Sequence, residues 1–136
     1  MIDHNNEAVR ERVQELRGNR VKQTDLANVL GLSRAAYQRL ESAGSFTWEQ
    51  IEILGDFFDI SPFFLKYGIY DEEFKEALKD KVLPFSTMKD TKFTVFEDLE
   101  NNELTRVGLF AKIICLEKED RDRILRRFSP DSPLLD

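Results

Sequence analysis

A glycine turn between two short helical patterns constrains this chain more than any other sequence feature. Apolar residues share one side of a helix over 23–30, and Gly31 then ends it, because a residue without a Cβ readily takes the left-handed conformation of a tight turn. Ser33 is well placed to cap a third helix over 34–42, since its hydroxyl accepts a hydrogen bond from a free amide. Ala27 is small where the two helices should cross closely. The segment predicts a helix-turn-helix unit.

The flanking segments predict three more helices around this unit. An apolar stripe at helical spacing indicates a first helix over 7–17. Thr47 followed three residues later by Gln50 is a capping-box pattern that opens a fourth helix. A Ser-Pro pair at 61–62 opens a short fifth one. The sequence therefore predicts a compact all-α domain of five helices over residues 1–70.

The second half of the chain, residues 71–136, predicts a mainly helical segment that ends in a short frayed tail. Its phenylalanine-rich stretch 85–102 fits either a strand or a helix and receives no assignment. Helical patterns cover 71–82, 103–116 and 117–128. The second of these helices is apolar almost all round, which indicates burial on several sides.

That apolar helix carries more hydrophobic surface than a small segment can easily hide. A second copy related by a two-fold axis is the common way to cover such a surface. We therefore predict a homodimer. The predicted dimerisation residues are Leu104, Val107, Phe110 and Ile114.

The charge of the chain is acidic overall but basic where the two central helices lie. The 136 residues carry a formal net charge of −6, which excludes a globally basic coat for nucleic acid. Between Arg17 and Ser42 there are five basic residues and two acidic ones. An acidic body with a locally basic face fits binding at a specific site, with affinity that depends on salt less steeply than that of a strongly basic protein.

Several sequence features predict a cytoplasmic protein. No apolar run approaches the roughly 20 residues that span a bilayer, and the first residues lack the pattern of a secretory signal. The single cysteine, Cys115, cannot form a disulfide within the chain, which suits a reducing compartment. Because it lies in an apolar run, we expect Cys115 to be a buried structural thiol.

The segment from Lys22 to Glu41 resembles the Xre/Cro family of lambda repressor-like helix-turn-helix regulators, in a likeness that extends over roughly residues 7–68. The usual pattern of that family is Gln-x-x-Leu-Ala-x-x-x-Gly-apolar-Ser, followed by a helix that ends Arg-apolar-Glu. Here the pattern falls on Gln23, Leu26, Ala27, Gly31, Leu32, Ser33, Arg39, Leu40 and Glu41. The resemblance implies a bacterial or phage transcription regulator that binds double-stranded operator DNA, with repression as its expected action.

The resemblance also implies which residues meet the DNA. Residues at the start of the recognition helix and one turn later would reach base edges, and these are Arg34, Ala35, Gln38 and Arg39. Their chemistry agrees, because arginine bonds bidentately to guanine, glutamine to adenine, and alanine packs on a thymine methyl. Phosphate contacts are expected from the residues around the start of the preceding helix and from the recognition helix cap, which are Arg17, Arg20, Lys22, Gln23 and Ser33.

The sequence departs from the family at two positions. The loop after Glu41 is uncharged, where many relatives carry basic residues, and Lys22 stands where serine or threonine often caps the helix. Both departures weaken the expected affinity of one protomer. Binding would then depend on a dimer that reads half-sites about one helical turn apart.

Other interpretations of single residues compete with these. Arg39 would have only a structural role if it paired with Glu41 or a neighbouring acidic residue. Tyr37 and Trp48 are expected in the core. The charged residues of 117–128 are expected to form a solvated helix face, with i, i+4 ion pairs such as Glu119 with Arg123 and Asp122 with Arg126. His4, the only histidine, has no evident partner for catalysis or metal binding. No nucleotide loop, zinc spacing or nucleophile motif is present, so we predict no enzyme activity, no cofactor and no metal.

Two other functions stay open at this stage. One is an antitoxin or adaptor that binds another protein through residues 71–128, which the acidic charge and the uncharged loop after Glu41 favour. The other is a regulator that senses a small molecule in a pocket formed by residues 85–96.

Overall fold

The described part of the computed structural model comprises residues 5–78, 106–132 and 134–135. It is all-α, with no strand among these residues, as the sequence predicts. The stretch 85–102, which received no assignment from sequence, and the predicted helix end at 79–82 lie outside the described residues. The helices are α1 (Asn6–Arg17), α2 (Gln23–Leu30), α3 (Arg34–Ala43), α4 (Trp48–Phe58), α5 (Pro62–Tyr67), α6 (Asp71–Leu78), α7 (Arg106–Ile114) and α8 (Lys118–Phe128).

Side-chain caps start most of the helices in the first half of the chain. Asn5 accepts a hydrogen bond from the Ala8 amide at 2.8 Å, and Ser33 accepts one from Ala36 at 3.1 Å. Thr47 and Gln50 form the predicted capping box, with reciprocal bonds of 2.9 and 3.2 Å. These bonds satisfy amides that the helix itself leaves free. The sequence predictions of the third and fourth helix starts are confirmed.

The turn between α2 and α3 is built as the sequence predicts. Gly31 has φ 69° and ψ 30°, in the left-handed region. The amide of Leu32 donates to the carbonyl of Ala27 at 2.8 Å, and this bond ends α2. Ala27 itself is buried. A side chain at position 31 would be strained in this conformation.

The chain divides into two compact units, residues 2–69 and 70–136. In the first unit α2 packs against α3 and α4, while α1 packs against α3 and α5. Its core contains Tyr37 as predicted, and Trp48 packs on the core while half-buried. The fully buried side chains of this core include Val13, Leu26, Tyr37, Leu54 and Leu65.

Polar side chains of α1 bind the carbonyl ends of two other helices. Arg10 donates to the Gly44 carbonyl at 2.7 Å, and Gln14 donates to the Glu41 carbonyl at 2.9 Å, both at the end of α3. Arg12 donates to the Leu65 carbonyl in α5 at 3.0 Å. Helix carbonyls that lack an internal partner are thereby satisfied. The position of α3 is therefore set from α1 as well as from its apolar face.

The second unit has its own apolar interior. Phe74 of α6 is fully buried, and its ring stacks on Phe128 of α8 with centroids 5.1 Å apart. Arg127 lies 3.6 Å from the Asp71 carboxylate, which links the same two helices. The other buried apolar side chains among the described residues of this unit are Ala77, Leu78, Leu109, Phe110, Ile113, Ile124 and Leu125.

Of the four predicted dimerisation residues, two have described side chains. Phe110 is buried in its unit, whereas Ile114 is half-buried. Leu104 lies outside the described residues, and Val107 lies on α7 without a described side chain. The homodimer stays a prediction.

Two expectations about the second half differ from the structure. Cys115 is exposed, so the prediction of a buried thiol is wrong; it follows directly after the last residue of α7, where the chain leaves the apolar interior. Within α8, Arg123 lies 3.4 Å from Asp120 and Arg121 lies 3.5 Å from Asp122, which are spacings other than the i, i+4 pairs expected there. Among the described residues, none of the helices has the length and apolar character of a membrane span.

Candidate nucleic-acid interface

The outer face of α3 carries all four residues that the sequence predicts to read bases. Arg34, Ala35, Gln38 and Arg39 are each exposed, while Tyr37 between them is fully buried. Positions i, i+1, i+4 and i+5 lie on one side of a helix. Packing of Tyr37 therefore points this face of α3 to solvent.

Both ends of α3 are held in place. The Ser33 hydroxyl caps its start, and because it accepts the Ala36 amide it still has its own proton to donate. Arg10 and Gln14 bind carbonyls at its end. A helix that is fixed at both ends loses little conformational entropy when it binds a ligand.

An open cleft lies beside α3, where α2 begins. Its volume is about 560 Å³, and its walls come from the end of α1 and the starts of α2 and α3. It brings together three of the five predicted phosphate contacts, whereas Arg20 and Ser33 are exposed and do not line it. The lining residues are Arg17, Lys22, Gln23, Thr24 and Arg34. Two of them, Lys22 and Arg34, are exposed cations, and positive charge on a concave surface favours an anion.

The start of α2 differs from its neighbours because no side chain caps it. Lys22 occupies the cap position, and its ammonium group has no acceptor for a helix amide. The bond between the cap residue and a side chain of the helix runs the other way, from the Lys22 amide to the Asp25 carboxylate at 3.1 Å. The first two residues of α2, Gln23 and Thr24, line the cleft, so the uncapped start of the helix, with the positive end of its dipole, lies at the cleft.

A buried carboxylate lies behind the cleft, and sequence reasoning did not identify its role. Glu41 is 3% exposed. It accepts two bonds from Arg17, at 2.7 and 3.0 Å, one from the Tyr37 hydroxyl, and one from the Gln23 amide nitrogen at 3.3 Å. The i, i+4 spacing of Tyr37 and Glu41 on the inner face of α3 was a usable signal for this pair. The contribution of Arg17 was not visible, because it lies 24 residues away.

Arg17, and not Arg39, is the arginine that pairs with Glu41. Its guanidinium is the ion-pair partner of Glu41, and it also donates to the Val21 carbonyl at 3.4 Å. Arg39 forms no recorded ion pair with any described residue and stays exposed. The interpretation of Arg39 as the partner of Glu41 is therefore wrong.

The ionisation of this cluster follows from its contacts. Burial raises the pKa of Glu41, but hydrogen bonds from Arg17, Tyr37 and Gln23 and the charge of Arg17 outweigh burial, so the net pKa lies below its ordinary value. The hydrogen bond to Glu41 raises the pKa of Arg17. Burial and the Glu41 carboxylate raise the pKa of Tyr37, which keeps its proton as a donor. The cluster holds one anion and one cation at neutral pH.

The lowered pKa of Glu41 predicts a loss of stability in acid. A group whose pKa is lower in the folded than in the unfolded state stabilises the fold above its unfolded pKa, about 4.3 for glutamate, and this stability is lost as pH falls through the folded value. We expect wild type to be more stable than Glu41→Gln at pH 7, with the difference narrowing below about pH 4. Urea unfolding at pH 7, 5, 4 and 3 measures it. A difference independent of pH would contradict the assigned charge of Glu41.

The candidate interface presents positive charge and hydrogen-bond donors. Among the described residues, no group of histidine, cysteine and carboxylate side chains could hold a metal ion. His4 lies outside those residues. What the interface presents is an exposed helix face beside a basic cleft, which is suited to binding an extended anion. Comparisons with protein-family models, with curated proteins and with solved structures found no match to this chain.

Proposed function

We propose that this chain is a sequence-specific DNA-binding transcription regulator that inserts α3 into the major groove of its operator. The observation that carries the proposal is the outer face of α3, where Arg34, Ala35, Gln38 and Arg39 are exposed together beside the basic cleft. A helix of this size fits the major groove, where every base pair shows a distinct pattern of donors and acceptors. The local resemblance to Xre/Cro regulators supports the same function.

The cleft supplies the contacts to the DNA backbone. Lys22 carries charge there that no ion pair with a described residue neutralises, whereas Glu41 already compensates Arg17. The free amides at the start of α2 add an uncharged contribution to phosphate binding. Few uncompensated cations fit a protein that depends on base readout, because non-specific affinity comes from phosphate charge.

The regulator would act as a repressor and as a homodimer. Two copies related by a two-fold axis would place two α3 helices on half-sites about one helical turn apart. The apolar pattern of 103–116 supports the second segment as the dimerisation element. Such a protein works in the cytoplasm, where the exposed thiol of Cys115 stays reduced.

Titration of the purified chain against the promoter region of its own gene tests this function. We expect Arg34→Ala and Arg39→Ala each to cost about 1–3 kcal/mol of specific binding and to relax the preference at one base pair. Lys22→Ala should weaken binding to all sequences and reduce the salt slope by about 1. Arg126→Ala, an exposed arginine on α8, is the matched control.

Equal affinity of wild type for the promoter region and for random DNA at modest salt would overturn the proposal. Sedimentation of the same preparations at tens of micromolar protein determines whether the protein is a dimer in the binding experiment. If a dimer binds promoter and random DNA equally well, the result supports the second candidate function. This is an antitoxin or adaptor that binds another protein through residues 71–128. The net charge of −6 and the uncharged loop after Glu41 favour that candidate, and co-purification of one partner in stoichiometric amount would support it.

A further inference from the structure

Gln23 occupies the position where the cleft, the start of α2 and the buried cluster meet. It is the first residue of α2 and is half-buried. Its side chain lines the cleft, and its amide nitrogen donates to Oε1 of Glu41 at 3.3 Å. One side chain therefore contacts both the interior of the unit and the surface where a phosphate would bind.

The contact with Glu41 decides how the amide of Gln23 is oriented. An ionised carboxylate only accepts hydrogen bonds, so the nitrogen and not the oxygen of the amide must face it. Only one of the two N–H groups is used in this bond. The other N–H group is free to donate to a ligand in the cleft.

The carboxylate that imposes this orientation is itself rigidly held. Arg17 binds both of its oxygen atoms, and the Tyr37 hydroxyl binds Oε2. These three bonds come from α1 and from α3 itself, whereas Gln23 belongs to α2. The carboxylate thus connects three helices at one buried point. A side chain that is hydrogen-bonded to it is therefore held in one position.

We propose that Glu41 is a positioning residue of the interface: it holds the Gln23 amide so that its second N–H donates to a DNA phosphate in the cleft. Glu41 does not touch the DNA. Its effect is that the glutamine side chain, which would otherwise sample several rotamers, is ordered before DNA arrives, so that binding does not have to order it. The inference rests on the proposed function, since it concerns the phosphate contact of the same interface.

A double-mutant cycle between Glu41 and Gln23 tests the inference with specific DNA. We expect Gln23→Ala to raise Kd about tenfold, as expected for loss of a hydrogen bond to a charged group, and Glu41→Gln to raise it severalfold. In the Gln23→Ala background, Glu41→Gln should no longer weaken binding, because the Arg17 charge that it leaves uncompensated lies at the cleft and favours phosphate. Thermal unfolding of each variant establishes that binding is measured on folded protein. Gln14→Ala is the matched control, because Gln14 donates to the carbonyl of Glu41 and not to its carboxylate.

Equal effects of Glu41→Gln in both backgrounds would overturn the inference, because Glu41 would then act on binding without Gln23. Side-chain amide order parameters of free wild type give a second test that requires no variant of Glu41. Gln23 should be more ordered than the exposed Gln38, and equal mobility of the two would overturn the inference. Failure of the proposed function looks different, since wild type itself would then show no preference for the promoter region.

Discussion

Replacement of Arg17 by methionine is expected to lower the free energy of unfolding by about 3 kcal/mol. Removal of one partner from a buried ion pair costs about 3–5 kcal/mol, because the remaining charge is left without compensation. The lower end applies here, since the Arg17 side chain is 22% exposed while that of Glu41 is 5% exposed. Urea unfolding followed by the fluorescence of Trp48, the single tryptophan, measures the effect in the first unit.

The control is the double variant Arg17→Met with Glu41→Gln. A neutral glutamine has no charge to compensate, so the double variant should regain most of the lost stability. The loss in the single variant should also shrink as pH falls, because burial favours a protonated carboxyl once Arg17 is absent. A single variant within about 1 kcal/mol of wild type at pH 7 would show that water reaches the Glu41 carboxylate.

Replacement of Phe74 by alanine is expected to destabilise the second unit by about 3–5 kcal/mol. The ring is fully buried and stacks on Phe128, so its loss removes apolar burial and leaves a cavity. Hydrogen exchange of peptides from α7 and α8 measures the change locally, and we expect faster exchange there than in wild type.

Tyr70→Ala serves as the matched aromatic control for that variant. Tyr70 lies in the same unit but is 58% exposed, and surface substitutions usually change stability by less than about 0.5 kcal/mol. If Phe74→Ala and Tyr70→Ala gave the same exchange in α7 and α8, Phe74 would not be part of the interior of this unit.

The helices of the first half could be predicted from sequence because their signals are local. Ser33, the Thr47–Gln50 capping box and Gly31 each act within a few residues of their own position, and the structure confirms all three. The outward direction of Arg34 and Arg39 followed in the same way, since the apolar pattern of α3 places Tyr37 inside. Local hydrogen bonding and helical periodicity are sufficient for such features.

The centre of the candidate interface could not be predicted, because it depends on contacts between distant residues. No local pattern tells that Arg17 meets Glu41, or that Gln23 reaches the same carboxylate. The apolar run around Cys115 also predicted a buried thiol, but Cys115 is exposed directly after α7. Hydropathy describes a stretch of chain, whereas exposure at a helix end depends on where the chain turns away.

The polar face of α1 shows that a hydrophilic residue on a surface helix is not always free to be replaced by another. Arg10, Arg12 and Gln14 are hydrophilic residues on a surface helix, yet each donates to a main-chain carbonyl of a distant segment. A main-chain acceptor has a fixed place, so the side chain that reaches it must keep both its length and its donor. Another hydrophilic residue would preserve solubility and lose the bond. In sequences related to this one, α1 is therefore expected to vary less than its polarity suggests.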